Sequence, residues 1–235
     1  MITEFNAIEA PTSVDLFIEQ IKTAILSGQL HIGDQLPTER ELCRQMNVSR
    51  GVINTGLRRL QALHFVEMRP RTGNFVADYR RNGSLETLNE IINFRGGNYR
   101  PSLLNSIFEV RHQLESDIVR LATRQQNKTT LLEAQQTIFQ MKNNCSPAES
   151  AQLLYQFFHT LAIASDNAVY PLLIANFQSI YLTLGRWLFE IGNSETIDHQ
   201  LQELFSSIQT GQQEAAINKA NQLISWSADQ ILARD

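Results

Sequence analysis

Four residues at the start of a predicted helix, Ser49, Arg50, Gly51 and Asn54, bring together a hydroxyl, a guanidinium, a bare backbone and an amide. A serine hydroxyl and the free N–H groups of a helix start suit a phosphate. A guanidinium donates two hydrogen bonds to O6 and N7 of guanine. Gly51 lets the backbone approach closely, and Asn54 lies one turn further on, within reach of a base edge or a phosphate. This pattern predicts a helix that contacts the major groove of DNA.

Further DNA contacts are predicted on either side of this helix. Arg40 lies near the start of the preceding predicted helix, where its guanidinium is placed for a phosphate. Arg69 and Arg71 lie at the tip of a predicted hairpin, from which they would reach the minor groove or the backbone. Gly73 belongs to the same turn and is included among the DNA-binding candidates.

Charge is distributed unevenly along the chain. The net charge is −4, yet residues 40–81 hold nine arginines, no lysine and three acids, for a net charge of +6. The segments before and after this block each carry a net charge of −5. A basic block that coincides with a predicted groove-reading helix favours nucleic acid as the partner. For Arg58 and Arg59 inside the block, DNA contact and plain exposure to solvent both stay open.

Composition and motifs exclude several other classes of protein. The start of the chain lacks a basic segment followed by an apolar run, and no apolar stretch approaches the roughly 20 residues of a membrane span. The two cysteines, Cys43 and Cys145, lie far apart, which fits a reducing compartment but leaves one disulfide open. We therefore expect a soluble, cytoplasmic protein. The chain has no glycine-rich phosphate loop, Gly-x-Ser-x-Gly or His-Glu-x-x-His motif. An enzyme is not expected, and a helical enzyme with a DNA-binding appendage is a remote alternative.

The basic block lies in a region whose pattern predicts a winged helix-turn-helix. Helices are predicted at residues 13–27, 38–46 and 50–63, and strands at residues 65–69 and 74–77. Ser13 is the expected cap of the first helix. Thr38 and Glu41 form a capping box at the start of the second, which ends at Asn47. Two helices joined by a short turn are the helix-turn-helix unit, and the hairpin with its turn at residues 70–73 is a wing.

The rest of the chain shows helical periodicity alone. The clear segments are residues 102–126, 129–142, 148–165, 168–191, 195–209 and 212–233. They predict a bundle of six or seven helices. The expected fold class is mainly α with a small β wing. The expected division is residues 1–78 as the DNA-binding domain, 79–83 as a linker, and 84–235 as a helical effector-binding and dimerisation domain.

Five polar residues in the helical part are candidate effector ligands. They lie on otherwise apolar helices or at a helix break, where buried polar groups need partners that a bound anion would supply. These residues are Arg111, His159, Asn167, Tyr181 and Arg186. An alternative stays open for Arg111, which is spaced to pair with Glu115 one helical turn further on.

Four motifs in the N-terminal part resemble the signature of the GntR family of winged-helix repressors. They read Leu-Pro-Thr-Glu-Arg-Glu-Leu at residues 36–42, Val-Ser-Arg at 48–50, Leu-Arg-Arg-Leu at 57–60 and Gly-Asn-Phe-Val at 73–76. The resemblance covers residues 14–77. It implies a homodimer that binds a palindromic operator, with repression as the expected mode.

The helical part resembles the ligand-binding domain of the FadR subfamily over residues 84–233. The resemblance is carried by Glu-Val-Arg at 109–111, Leu-Glu at 114–115 and the segment Phe-His-Thr-Leu-Ala-Ile-Ala-Ser-Asp-Asn at 158–167. Segments around 167–170 and 180–186 are similar to the helices that surround an acyl chain in members that regulate fatty-acid metabolism. The resemblance therefore implies a fatty acyl-CoA as effector. The alternative is a small organic carboxylate, possibly with a divalent metal.

Most members of the subfamily hold that metal with one aspartate and three histidines. Here His159 matches the first histidine, but Tyr155 stands where the aspartate is expected. Leu201 and Leu223 stand near the other two histidine positions, and His199 is two residues out of register. One histidine is not a metal site, so no metal and no other cofactor is predicted, and His159 is interpreted as a pocket or core residue.

Overall fold

A computed structural model describes residues 11–92, 101–141, 145–192 and 194–233. The chain forms two compact units, residues 1–97 and residues 98–235. Within the described ranges, no helix combines the length and the apolar character that crossing a membrane would need. The predicted fold class, mainly α with a small β wing, is confirmed.

The first unit contains five helices and two strands within its described residues. They are α1 (Ser13–Leu26), α2 (Glu39–Met46), α3 (Arg50–Ala62), β1 (Val66–Arg69), β2 (Gly73–Val76), α4 (Tyr79–Asn82) and α5 (Leu85–Ile92). Its core is formed by apolar residues from α1, α3 and the wing, among them Phe17, Ile53, Leu57 and Phe65. At Gly56 an added Cβ would lie 2.2 Å from Cδ1 of Phe17. The absence of a side chain at Gly56 therefore lets α1 and α3 pack closely.

Side-chain caps set the starts of the first three helices. Thr38 and Glu41 form the predicted capping box of α2, and Asn47 ends that helix with φ 52°. The prediction that Ser13 caps α1 is wrong, because Ser13 is the first helical residue. Thr12 is the cap: its hydroxyl accepts a hydrogen bond from the Asp15 N–H at 3.2 Å, and the Asp15 carboxylate accepts one from the Thr12 N–H at 3.1 Å. The acid three positions after Thr12 completes a capping box that Ser13 lacks.

The wing is an antiparallel hairpin in which Val66 lies opposite Val76 and Arg69 opposite Gly73. The loop before α2 adds an isolated bridge between Gln35 and Phe75. Four further hydrogen bonds join loop and wing: Gly33 N–H to Val76 O, Leu36 N–H to Asn74 O, Val76 N–H to Asp34 O, and Gln35 Nε2 to Thr72 O, all between 2.8 and 3.0 Å. The wing is thereby fixed to the helix-turn-helix.

Two contacts tie α5 to the rest of the first unit. The Thr87 hydroxyl donates to the Leu63 carbonyl at 3.0 Å. The buried Lys22 ammonium lies 2.6 Å from Glu90 Oε2. The predicted linker at residues 79–83 contains the short helix α4. The sequence analysis placed residues 84–92, which include α5, in the helical domain. The division into residues 1–78, 79–83 and 84–235 stays a prediction.

The second unit is all helical in its described residues. Its helices are α6 (Pro101–Gln125), α7 (Lys128–Met141), α8 (Pro147–Ala164), α9 (Tyr170–Asn176), α10 (Gln178–Ile191), α11 (Ser194–Gln209) and α12 (Gln213–Leu232). The main packing pairs are α8 with α10, α6 with α12 and α7 with α8. At Gly185 on α10 an added Cβ would lie 3.0 Å from the Ala151 Cβ on α8. This close approach holds α10, and with it Tyr181, against α8.

The helix predicted at residues 168–191 is two helices, α9 and α10, which meet at Phe177. The Asn176 side-chain amide donates to the Leu172 carbonyl at 2.8 Å. A side chain that competes for a helix carbonyl weakens the regular ladder. Apolar periodicity alone does not register such a break, because the apolar face continues across it.

Candidate DNA-binding surface and effector site

The N-terminal turn of α3 presents the predicted groove-reading residues to solvent. Arg40, Ser49, Arg50 and Gly51 are all exposed. The Arg50 side chain is 84% exposed, and its Nε lies 3.1 Å from Glu39 Oε2. The guanidinium is therefore accessible to DNA but must exchange one carboxylate partner to bind it.

Two further candidates, Ser49 before α3 and Asn54 on α3, also have partners within the first unit. The Ser49 hydroxyl accepts a hydrogen bond from the Val52 N–H at 3.4 Å, so Ser49 caps the helix. A capping serine keeps its own O–H free to donate to a phosphate. Asn54 Oδ1 accepts a hydrogen bond from Arg58 Nε at 3.0 Å, which leaves the Asn54 amide N–H groups as donors.

Arg59 bridges α3 to α1 and so differs from Arg58. Its Nη1 lies 3.0 Å from Asp15 Oδ1. The pKa of Asp15 is held below its usual value, chiefly by hydrogen bonds from Thr12 and to a smaller extent by Arg59. Of the two arginines left open by the sequence, Arg59 thus has a structural partner on α1.

The wing carries two of the predicted arginines in different settings. Arg69 pairs with Glu67 at 2.8 Å, and its Cζ lies 4.4 Å from the centre of the Phe75 ring. This pairing lowers the pKa of the Glu67 carboxyl. Arg71 is exposed in the turn with φ 64°, and Gly73 follows it with φ 126°. A left-handed conformation at both positions turns the chain sharply and leaves the Arg71 side chain at the tip.

In the second unit, Arg111 and Tyr181 meet at a buried carboxylate that the prediction did not include as a site residue. Glu115 is 0% exposed. Its Oε1 accepts hydrogen bonds from Arg111 Nε and from the Tyr181 hydroxyl, both at 2.7 Å. The alternative in which Arg111 pairs with Glu115 is therefore present in the structure. The only sequence signal for Glu115 was its i, i+4 spacing from Arg111.

Burial shapes the electrostatics of this cluster. Burial disfavours the charge on Arg111, but Glu115 and Tyr181 together outweigh that effect and raise the pKa of the guanidinium. Burial, and after it the charge of Glu115, raises the pKa of the Tyr181 hydroxyl well above its usual value. Arg111 and Glu115 are thus an ion pair beside a phenol that stays protonated.

Aromatic contacts connect His159 with the same cluster. The His159 ring stacks on Tyr155 with 5.6 Å between ring centres. The Tyr155 ring in turn meets the edge of Tyr181, with 6.2 Å between centres, and Phe158 lies equally far from Tyr181. We define the effector cluster, named for the role proposed for it below, as Arg111, Glu115, Tyr155, His159 and Tyr181. It combines one ion pair with three neighbouring rings.

Two predicted effector residues make their contacts elsewhere. Asn167 Oδ1 accepts hydrogen bonds from the backbone N–H groups of Val169 at 2.9 Å and Tyr170 at 3.4 Å, so this amide shapes the turn before α9. The Arg186 side chain is 56% exposed and pairs with Glu190 at 3.4 Å. Their effector roles stay predictions, while Arg111, His159 and Tyr181 are brought together.

A polar network fixes α6 next to the effector cluster. The His112 ring bonds to Asn221 Oδ1 through Nδ1 at 2.9 Å and to the Ser225 hydroxyl through Nε2 at 3.2 Å. The Ser116 hydroxyl donates to the same Asn221 oxygen at 2.7 Å. His112 and Ser116 each follow a cluster residue by one position, so the network between α6 and α12 holds Arg111 and Glu115 in place.

The residues at the four positions expected for a metal do not fit one. They supply one imidazole, the Tyr155 phenol and two leucines, Leu201 and Leu223, which are 0% and 3% exposed. Divalent metals in such sites need three or four nitrogen, oxygen or sulfur ligands. His199 has a side chain that is 73% exposed. Within the described ranges, no group of three or more His, Cys, Asp or Glu residues is arranged to hold a metal.

Family models match almost the whole chain. Residues 17–76 match the model described as bacterial regulatory proteins, gntR family. Residues 77–230 match the model described as FadR C-terminal domain. The two matches adjoin at residues 76 and 77, so the chain carries the two parts in the order that its motifs indicated.

Proteins similar to this chain include named transcriptional regulators. The regulator Mce2R of Mycobacterium tuberculosis is 36% identical over 49% of this chain and 47% of its own. The chain thus spans about half the length of that relative. The galactonate operon transcriptional repressor of Escherichia coli is 26% identical over 92% of this chain and 96% of its own. The fatty acid metabolism regulator protein of Shewanella putrefaciens is 28% identical over 72% of this chain and 69% of its own.

Solved structures agree on the fold. The structure of Lar, which controls the expression of the Listeria monocytogenes agr system, aligns with a TM-score of 0.64 at 14% identity. The alignment covers 98% of this chain and 100% of that one. At this identity the likeness shows the fold alone. The family matches and these relatives agree with the prediction that the chain belongs among bacterial regulatory proteins.

Proposed function

Because the chain belongs to the GntR family and carries a FadR C-terminal domain, we propose that it is a repressor whose operator binding is released by a fatty acyl-CoA. The observation that carries the proposal is the match of residues 77–230 to the FadR C-terminal domain, directly after a gntR match. The relative from Shewanella putrefaciens named fatty acid metabolism regulator protein supports the same effector class. The proposal includes a cytoplasmic location, where a bacterial operator lies.

In this proposal the DNA-binding residues have distinct tasks. Arg50 leaves Glu39 and reads a guanine in the major groove. Arg40 and Ser49 bind phosphates, Gly51 allows the backbone to approach the DNA, and Asn54 donates to a base edge or a phosphate. In the wing, Arg69, Arg71 and Gly73 form the second contact point. Support comes from the exposure of Arg40, Arg50 and Arg71, and from the position of Arg50 in the first turn of α3.

Two-fold symmetry connects the monomer to its operator. A homodimer places two copies of α3 on half-sites about one turn of DNA apart, which predicts a palindromic operator. An effector that binds better to the DNA-free arrangement of the dimer shifts the population toward it. Repression follows where the operator overlaps a promoter.

The effector cluster suits an acyl compound better than a metal-bound carboxylate. It contains aromatic rings, and its ion pair is internally neutral, since Arg111 and Glu115 already pair. A free carboxylate would have to compete with Glu115 for Arg111. An acyl chain requires only apolar walls. Among the proposed effector residues, Arg111 and Tyr181 meet at Glu115, and His159 is linked to Tyr181 through Tyr155. Asn167 and Arg186 are proposed with them from the sequence.

The test first selects the operator, as the DNA sequence that the protein enriches from a random pool. Binding of the protein to this operator is then measured with and without tetradecanoyl-CoA. We expect the wild type to select a palindrome and to release it when tetradecanoyl-CoA is added. Arg50→Ala should lose the palindrome while still binding tetradecanoyl-CoA. Arg124→Ala removes an exposed arginine of α6 and is the matched control. The proposal would be contradicted if the wild type enriched no common DNA sequence. It would also be contradicted if operator binding were the same with and without tetradecanoyl-CoA.

A second candidate effector is a small organic carboxylate. It is favoured by one observation, the alignment of the galactonate operon transcriptional repressor over 92% of this chain. D-Galactonate in the same release assay separates the two candidates. Release by D-galactonate and not by tetradecanoyl-CoA would replace the acyl-CoA proposal and leave the DNA-binding proposal unchanged.

A further inference from the structure

Glu115 carries a buried carboxylate oxygen that is unused by the protein. Oε1 accepts both available hydrogen bonds, from Arg111 Nε and from the Tyr181 hydroxyl. Oε2 is also buried, and none of the described residues places a donor within hydrogen-bond distance of it. The residue as a whole is 0% exposed. The carboxylate therefore uses one oxygen twice and leaves the other without a partner.

An unpartnered buried carboxylate oxygen is costly, and native proteins retain few of them. The ion pair with Arg111 compensates the charge of Glu115 but not the missing hydrogen bond at Oε2. A second Arg111 bond to Oε2 would make the pair bidentate, the strongest geometry for these groups. The observed pair places Arg111 Nε on Oε1 instead. Oε2 thus remains as an acceptor inside the effector cluster.

Only a hydrogen-bond donor satisfies such an atom. A carboxylate or phosphate oxygen would be repelled by Oε2, because both are acceptors with negative charge. An N–H or O–H group would form a charge-assisted bond, which is roughly twice as strong as a neutral one. The chemistry at Oε2 therefore selects for donors and against free acids.

We propose that Glu115 Oε2 accepts a hydrogen bond from an N–H or O–H group of the effector, and that this bond determines effector specificity. The inference rests on the proposed function, because it takes the effector cluster as the binding site. It narrows the effector class to compounds with an uncharged donor at this point. Coenzyme A thioesters qualify through the amide and hydroxyl groups of their arm, whereas the corresponding free fatty acids are acceptors alone.

The test compares tetradecanoyl-CoA with tetradecanoate by titration calorimetry on the full chain at pH 8. Glu115→Gln keeps the shape of the side chain but replaces Oε2 with an NH₂ group when its oxygen stays on Arg111 and Tyr181. We expect this variant to lose about 10- to 100-fold in affinity for tetradecanoyl-CoA. Its affinity for tetradecanoate should stay the same or increase. Glu109→Gln makes the same charge change on the exposed face of α6 and should alter neither affinity.

Several outcomes would overturn the inference while leaving acyl-CoA-controlled repression intact. One is unchanged tetradecanoyl-CoA affinity in Glu115→Gln, which would mean that solvent satisfies Oε2. Another is an equal loss for both ligands, which would show a structural role alone. If Glu115→Gln does not fold, Glu115→Asp withdraws the carboxylate by one methylene and permits the same comparison.

Failure of the proposed function has a different signature. A wild type that binds neither compound refutes the acyl-CoA effector. The comparison then uses D-galactonate, whose hydroxyl groups offer equivalent donors. Loss of D-galactonate affinity in Glu115→Gln would support the role of Glu115, and equal affinity in both proteins would overturn it.

Discussion

Arg50→Ala should weaken operator binding through the loss of one base contact. The Arg50 side chain is 84% exposed and pairs with Glu39 at 3.1 Å. Such an exposed ion pair contributes about 0.2–1 kcal/mol, so leaving it costs little. A bidentate guanine contact is worth about 1–3 kcal/mol of discrimination, which corresponds to roughly 5- to 150-fold in Kd. We expect a loss in this range on the selected operator.

Fluorescence anisotropy on the operator and on random DNA, across salt concentrations, measures this loss. A base contact predicts that Arg50→Ala lowers operator affinity much more than affinity for random DNA, and relaxes the preference at one base pair. A phosphate contact predicts an equal loss on both DNAs and a salt slope reduced by about one. The second result would refute the base-reading role of Arg50.

Glu39→Gln changes the other partner of the ion pair that Arg50 forms. The change removes the carboxylate that competes with DNA for Arg50, so operator affinity should rise by about 1.4- to 5-fold, the equivalent of an exposed ion pair. In the Arg50→Ala background the same change should give a smaller gain. Equal gains in both backgrounds would mean that Glu39 acts through its charge near the phosphates and not through Arg50.

Three further predictions concern stability, each measured by urea unfolding. Gly56→Ala should lower the free energy of unfolding by about 1–3 kcal/mol, because its Cβ would overlap the buried Phe17 ring; an unchanged unfolding midpoint would contradict the close α1–α3 contact. Ser146→Ala should cost about 1 kcal/mol at pH 7 by removing the cap of α8. Ser146 holds the pKa of Glu149 below its usual value of 4.5, so the part of the stabilisation that involves the Glu149 carboxylate is present above pH 4.5 and lost as the pH falls through the folded value, whereas the bond from the Glu149 N–H to Ser146 does not titrate; an equal loss at pH 7 and at a pH below the folded value would refute the linkage. Above pH 10, the free energy of unfolding of Tyr181→Phe should fall less steeply with pH than that of the wild type. The pKa of Tyr181 is raised in the folded protein, so the stabilisation that Tyr181 provides is lost as the pH rises beyond the unfolded value of 10.0. Parallel curves for Tyr181→Phe and the wild type would show that Tyr181 does not titrate differently in the folded protein.

Local signals in the sequence were sufficient for the helix-turn-helix and the wing. The Thr38–Glu41 capping box and the left-handed Asn47 are determined by residues within a few positions of each other, and both are present. The choice of Ser13 over Thr12 was wrong because both can cap, and only the carboxylate of Asp15 distinguishes them. A cap is therefore best identified together with its reciprocal acid.

Features that depend on contacts between distant segments were not predictable in the same way. The bridge between Gln35 and Phe75 joins residues forty positions apart and has no pattern of its own. Of the two partners of Glu115, only Arg111 was predictable, because it lies one helical turn away on the same helix. Tyr181 approaches from another helix. The unpartnered Glu115 oxygen depends on how two side chains, Arg111 and Tyr181, share one carboxylate, which periodicity does not encode.

The hydrogen bonds between the loop before α2 and the wing have a consequence for operator architecture. Gly33, Gln35 and Leu36 hold the hairpin in place, so in the proposed complex the protein sets the distance between the DNA contacts of α3 and those of the wing. One base pair inserted between these points would displace the second by about 3.4 Å along the duplex. For the proposed dimer we therefore expect a fixed spacing within each half-site, with changes in length tolerated only in the DNA between half-sites.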